Sequence, residues 1–277
     1  MFKKPTKKQL YYYYIKKKLS IRQIAKKLQI GSTSVDRYLK KYNIQTRKSI
    51  EGQKLRLLKI GKFGGYLNEK LSEEQNQFVF GTLLGDGTLG IGKRNTQARL
   101  KIEHSSKDSS YVEYKARLLG NFVTGGINTY SKYNKKNDKK YTCTYFITKT
   151  HPEFTKIHKI FYKRKIKVLK KEVLDIIGEL GLAIWIMDDG YYNKKSRFIE
   201  IYTMNFDYHE HLTIQKWFKE KYNIYSKICW HKQSERFYLR FNQKDTAVLI
   251  EHIKPYIVAG MERKMGKEIA EKFVAGE

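Results

Sequence analysis

The chain has 277 residues, 40% of them apolar, and a formal net charge of +30 from 57 lysines and arginines against 27 acids. That length suits one large domain plus a small one, or two of medium size. No apolar run is long enough to span a membrane, and Cys143 and Cys229 are too few and too far apart for a disulfide framework or a zinc site. So positive a field attracts polyanions and repels itself when no partner is bound, so nucleic acid is the expected partner.

The charge is concentrated at the front: the first 71 residues hold 20 of the basic residues and only 3 of the acidic ones. The opening stretch, MFKKPTKKQLYYYYIKKKLS, lacks the apolar core of a signal peptide, so a cytoplasmic or organellar protein is expected. Tyr11 to Tyr14 fall on a first helix, where packing is their expected use. Next, Leu19 to Ile44 reads as two short helices joined by a tight turn. Ser20 caps the first, whose apolar face is Ile21, Ile24, Ala25 and Leu28. Gly31 supplies the turn, Ser32 or Ser34 caps the second helix, and Val35, Tyr38 and Leu39 form its apolar face. The pattern resembles a helix-turn-helix of the resolvase and transposase type. The resemblance implies that Ser32, Thr33 and Ser34 face base edges while Arg37, Lys40 and Lys41 hold phosphates. The expected domains are a helix-turn-helix over 1–47, a basic glycine-containing linker over 48–71, and a larger body over 72–277.

The larger body reads as a duplication, with halves of about 72–170 and 171–277. Each half opens with an apolar helix that ends in an acidic glycine turn, Asp86-Gly87 or Asp189-Gly190. An Asp at a helix C-terminus is unfavourable unless a cation sits beside it. Each half continues with a strand (98–105 or 197–204), a helix (108–122 or 207–222), a strand (141–148 or 235–242) and a closing helix (151–163 or 244–257). With short strands near 88–94, 127–133, 191–195 and 225–232, the order is α-β-β-α-β-β-α twice. The fold class is therefore α+β, a pseudo-two-fold body preceded by a small all-α domain. The strands alternate, so Arg99, Lys101 and Arg197 in the first strands, and Arg236 and Arg240 in the later one, are candidate DNA contacts on a polar sheet face.

The segments VFGTLLGDG (79–87) and LAIWIMDDG (182–190) resemble the two signature motifs of single-chain LAGLIDADG homing endonucleases. The resemblance covers about residues 72–270 and includes IKPYIVAGMERK (253–264). It implies that the motif helices pack side by side at the pseudo-dyad, with Gly81 and Gly85 allowing close approach. In the second motif Ile184 and Asp188 stand at those places, and Ala183 is the small residue. It further implies that Asp86 and Asp189 meet at the helix ends and hold Mg²⁺, with Gly85 and Asp188 beside them and the Asp188 carboxylate in a supporting role. The expected reaction is hydrolysis of both strands of a long duplex target by a monomer. Lys264 matches the family's C-terminal lysine. Its first-half counterpart is sought in KRKIKVLKK (163–171), where Lys165 is the expected residue and Lys167 the next choice.

Two alternatives stay open. One is a DNA-binding regulator of the same fold without cleavage, against which both motif acids speak. The other is an RNA maturase that assists an intron. None of the seven histidines follows a metal-binding spacing, and His209 and His211 are expected at the surface.

Overall fold

Capping chemistry written in the sequence starts four of the helices. In the computed structural model, Thr6, Ser20, Ser72 and Asp207 each accept the backbone N–H three residues on. Gln9, Gln23, Gln75 and Glu210 reach back to the cap's own N–H. The structure describes residues 4–47, 69–92, 95–134 and 138–266. These fall into two units, Met1–Glu69 and Lys70–Glu277. Most of the expected linker, residues 48–68, lies outside the described residues. No helix among them is long and apolar enough to cross a membrane.

In the front unit, α1 (Lys7–Tyr11) runs into a π-helical turn (Tyr12–Lys16), followed by α2 (Ile21–Leu28) and α3 (Ser32–Lys41). Leu10, Tyr14, Ile24, Ala25, Val35, Leu39 and Ile44 form its core. Of the four tyrosines only Tyr14 is buried, and its hydroxyl accepts the Arg47 N–H at 2.8 Å. The turn between α2 and α3 places Gln29 in the left-handed region, φ 53° and ψ 40°. The expected serine cap of α3 is replaced by Gly31, which has no side chain to cap with, and Ser32 is the first helical residue. Ser32, Thr33, Arg37, Lys40 and Lys41 are exposed and Ser34 is partly buried. Lys40 pairs with Asp36 at 2.9 Å, one turn back.

The second unit repeats one topology. Its first half is α4 (Glu73–Leu84), β1 (Thr88–Ile91), β2 (Ala98–Ser105), α5 (Ser109–Leu119), β3 (Val123–Asn134), β4 (Lys139–Thr148) and α6 (Pro152–Phe161). After a short hairpin, β5 (Tyr162–Lys163) and β6 (Ile166–Lys167), and α7 (Lys171–Ile176), the second half follows. It consists of α8 (Glu179–Asp189), β7 (Gly190–Asn193), β8 (Phe198–Ile201), α9 (Tyr208–Tyr222), β9 (Ser226–His231), β10 (Arg236–Phe241) and α10 (Gln243–Ile253). The two antiparallel sheets have the same strand order, β1-β2-β4-β3 and β7-β8-β10-β9. Alternation in β2 turns Ala98, Leu100 and Ile102 inward and Arg99 and Lys101 outward. Fully burying a Leu, Ile or Phe side chain stabilises by about 1.5–3 kcal/mol.

Helices α4 and α8 are buried nearly all round, as elements at the centre of a core must be. Their packing corrects one expectation. Gly181, not Ala183, is the small residue of the second helix: a methyl group at Gly81 would overlap the Gly181 carbonyl. One turn on, a methyl group at Gly85 would overlap the Asp188 Cβ. Two glycines on one helix and one on its partner thus bring the backbones together. The helices also end differently. α4 stops at Leu84, where Gly85 leaves the helix with ψ −126°, whereas α8 continues through Asp189.

Candidate active site

Because Gly85 touches Asp188, the residues that follow them, Asp86 and Asp189, emerge at the same end of the helix crossing. Asp86 is about half exposed, and Asp189 is partly buried. Burial, then the charges of Asp86 and Asp188, push the Asp189 carboxyl well above the usual carboxylate range. Crowded carboxylates of this kind are the donor set a hard divalent cation selects. Asp86 and Asp189 are the carboxylates that would hold it, with the Gly85 and Asp188 carbonyls, each accepting from a lysine, beside them.

A lysine attends each half. Lys167 Nζ donates to the Gly85 carbonyl at 2.9 Å. Lys264 Nζ donates to the carbonyls of Asp188 at 3.1 Å and Gly190 at 2.8 Å. Burial is the main reason both ammonium groups titrate below their ordinary value. Lys165 is corrected: it sits exposed in the β5–β6 turn with φ 71°, and the hairpin carries Lys167 back to the acids instead. Asp86, His104, Asp108, Asp188, Arg263 and Lys264 border a cavity of about 300 Å³. Arg263 Nη2 meets Asp108 Oδ1 across it at 2.9 Å.

The Asp188 carboxylate faces inward, away from the expected metal position, and supports the site from beneath. It is fully buried and accepts from Lys115 Nζ at 2.6 Å, the Tyr111 hydroxyl at 2.8 Å and the Thr82 hydroxyl at 2.8 Å. The Asp86 N–H lies 3.4 Å from it. Burial opposes ionisation of Asp188, but the Lys115 and His104 charges and the hydrogen bonds from Lys115 and Tyr111 together outweigh it and hold the carboxyl below its ordinary value. Lys115 is itself fully buried, and its Nζ also contacts Thr82 Oγ1 at 3.0 Å and His104 Nε2 at 3.0 Å. His104 Nδ1 stands 3.3 Å from Asp86 Oδ2. Asp86, His104 and Asp188 therefore form a cluster of potential ligands. The ammonium already bound to Asp188, however, takes the place a cation would occupy there.

Sequence reasoning missed His104, Lys115, Thr82 and Tyr111. Lys115 did leave a signal: it is the one charged residue among the buried positions Tyr111, Val112, Lys115 and Leu119 of α5. His211 also departs from expectation. It is buried, with Nε2 2.7 Å from Thr203 Oγ1.

The outer sheet faces carry the expected cations in different states. Arg99 and Arg236 are exposed on β2 and β10. Lys101 is held by Glu103 at 2.6 Å, and Arg240 by Glu200 at 2.6 Å. Burial works against ionisation of Glu103, yet hydrogen bonds from Lys101, Lys132 and Tyr130 keep its carboxyl at about 2. Arg197 lies in the β7–β8 turn with φ 53°, not in the strand, because β8 begins at Phe198.

Comparison with known proteins agrees with this geometry. The chain is 28% identical over 201 residues to a cytochrome b mRNA maturase, bI2, of Debaryomyces hansenii, covering 72% of this chain and 76% of the relative. It is 29% identical over 201 residues to the probable intron-encoded endonuclease 1 of Wickerhamomyces canadensis, covering 70% and 85%. The fold matches the homing endonuclease I-WcaI bound to its DNA recognition sequence. That match has a TM-score of 0.67 at 23% identity, over 80% of this chain and 93% of that one. Residues 76–249 match the model of the LAGLIDADG DNA endonuclease family. Doubled topology, paired acids at a glycine-lined crossing and this match agree, and the chain belongs to the LAGLIDADG DNA endonuclease family.

Proposed function

We propose that the chain is a site-specific endonuclease that hydrolyses one phosphodiester in each strand of a long duplex target and requires Mg²⁺. The observation that carries this reading is the meeting of Asp86 and Asp189 at one end of the α4–α8 crossing, with one partly buried lysine on each side. When bound, a divalent ion supplies charge neutralisation at the phosphate and a more acidic water. Asp86 and Asp189 would hold that ion, with the Gly85 and Asp188 carbonyls beside them. Lys167 and Lys264, with ammonium groups depressed by burial, stand ready to stabilise charge on the phosphate and to exchange a proton with the attacking water or leaving 3′ oxygen. Water adds to phosphorus as the P–O3′ bond breaks. Arg99, Lys101, Arg236 and Arg240 on the sheets and Arg197 in its turn contact the duplex.

The test is selection from a randomised duplex library. Mg²⁺ should yield one long site cut in both strands, and Ca²⁺ the same site bound but uncut. No enrichment of cut molecules with Mg²⁺ would overturn the reading.

The front unit is proposed as a second grip on DNA, with Ser32, Thr33 and Ser34 toward the bases and Arg37 and Lys40 toward phosphates. Its support is a separate three-helix core under an exposed polar face. Replacing Arg37 and Lys40 by glutamine in the full chain should reduce the salt dependence of binding by about one unit of slope per residue. An unchanged slope would remove this role. The maturase relative favours a second reading, in which the chain also assists an intron RNA. That activity would survive Asp86→Asn.

A further inference from the structure

The two halves are matched in topology but not in what lies under their acids. In the first half Thr88, two residues after Asp86, pairs with Lys101, and His104 follows three residues later. In the second half Tyr191, two residues after Asp189, pairs with Glu200, so Thr203 takes the place of His104. The same offset puts buried Ile214 where Lys115 stands. Counting from the motif acids, Trp185 replaces Thr82 and Gly85 replaces Asp188. A charged network stands beside Asp86, whereas the corresponding places of the second half hold Thr203, Ile214, Trp185 and Gly85, none of them charged.

The donor count of this network has a consequence. An ammonium has three protons and no acceptor. Lys115 Nζ is within hydrogen-bond distance of Asp188 Oδ1 at 2.6 Å, Thr82 Oγ1 at 3.0 Å and His104 Nε2 at 3.0 Å, which uses all three. Thr82 then donates its own proton to Asp188 Oδ2, and Tyr111 donates to Asp188 Oδ1. Since Lys115 can only donate, His104 Nε2 must accept. The ring proton is then on Nδ1, the nitrogen 3.3 Å from Asp86 Oδ2.

We propose that Lys115 is a positioning residue that, held by Asp188, fixes His104 as an Nδ1–H donor toward Asp86, so that the two half-sites are unequal and the two DNA strands are cut at different rates. Asp86 thereby has a ring N–H within 3.3 Å on its side, whereas Thr203 in the corresponding place bonds to His211 instead. The strand-rate part rests on the endonuclease reading; the tautomer part does not.

The test uses the full chain and two readouts. In protein labelled with ¹⁵N-histidine, long-range ¹H–¹⁵N spectra report which ring nitrogen carries the proton, and His104→Gln assigns the signal. The parent should show a single Nδ1–H form for His104. The double variant Lys115→Met/Asp188→Asn, which removes both charges together and so leaves no unpaired ion, should lose that preference. An Nε2–H ring in the parent, or an unchanged Nδ1–H ring in the double variant, would overturn the proposal even for a protein that cuts nothing. The second readout is cleavage of the selected site with each strand labelled separately. Loss of one charge-assisted contact should slow one strand by on the order of 10- to 100-fold and leave the other within about threefold. Equal slowing of both strands, with library cleavage intact, would refute the asymmetry while leaving the endonuclease reading in place.

Discussion

Replacing Lys115 alone by methionine keeps an apolar stem of similar length and deletes an ammonium from a fully buried site. The loss removes contacts to Asp188, Thr82 and His104 at 2.6, 3.0 and 3.0 Å. Asp188 keeps the Thr82 and Tyr111 hydroxyls but loses its counter-charge at zero solvent exposure. Removing one partner of a buried ion pair costs about 3–5 kcal/mol. A unit of this size loses about 2–4 °C in Tm per kcal/mol. Thermal unfolding followed by circular dichroism should therefore fall by about 6–20 °C at neutral pH. Adding Asp188→Asn should recover most of this, because the amide can accept from Tyr111 and donate to Thr82. The sign with pH is fixed by the lowered Asp188 carboxyl: its stabilisation is present above the unfolded value of about 4 and fades as pH falls through the lower folded value. A single variant within about 1 kcal/mol of the parent at pH 7 would show that the two groups are not a buried ion pair.

Gly81→Ala should push α4 away from the Gly181 carbonyl and destabilise by at least about 1–3 kcal/mol, measured by urea unfolding, whereas an unaffected midpoint would deny the close crossing. Asp189 titrates above the usual range in the metal-free protein, so a divalent ion must displace a proton from it at low pH. Calorimetric Ca²⁺ affinity should rise with pH up to that raised value and then level off; a pH-independent affinity would contradict this. Lys167→Met should slow cleavage about 10²-fold or more while Lys165→Met leaves it within about threefold, and equal effects would return the role to Lys165.

Much of this architecture is legible in the sequence because it follows from local rules. Capping pairs such as Ser20 with Gln23 and Ser72 with Gln75 mark helix starts, and alternation in 98–105 marks both a strand and its inward face. The doubled Asp-Gly turn marks the repeat. What escaped depends on three-dimensional closure. Gly181 lies one residue before the recognisable motif and matters only because Gly81 crosses it. Lys167 and Lys165 are indistinguishable as letters in a lysine-rich run, and only the β5–β6 hairpin brings one back to Gly85. His104 is 18 residues from Asp86 and without a spacing signature, yet the β1–β2 pairing folds it beside that acid.

In the proposed function, Asp86 and Asp189 together form the cleavage centre. The most direct measurement is single-turnover cutting of the selected duplex in Mg²⁺ by the parent, Asp86→Asn and Asp189→Asn, with binding measured in parallel in Ca²⁺. Each variant should lose cutting by about 10²-fold or more while still binding the site. Cutting that persists in both variants would contradict that role.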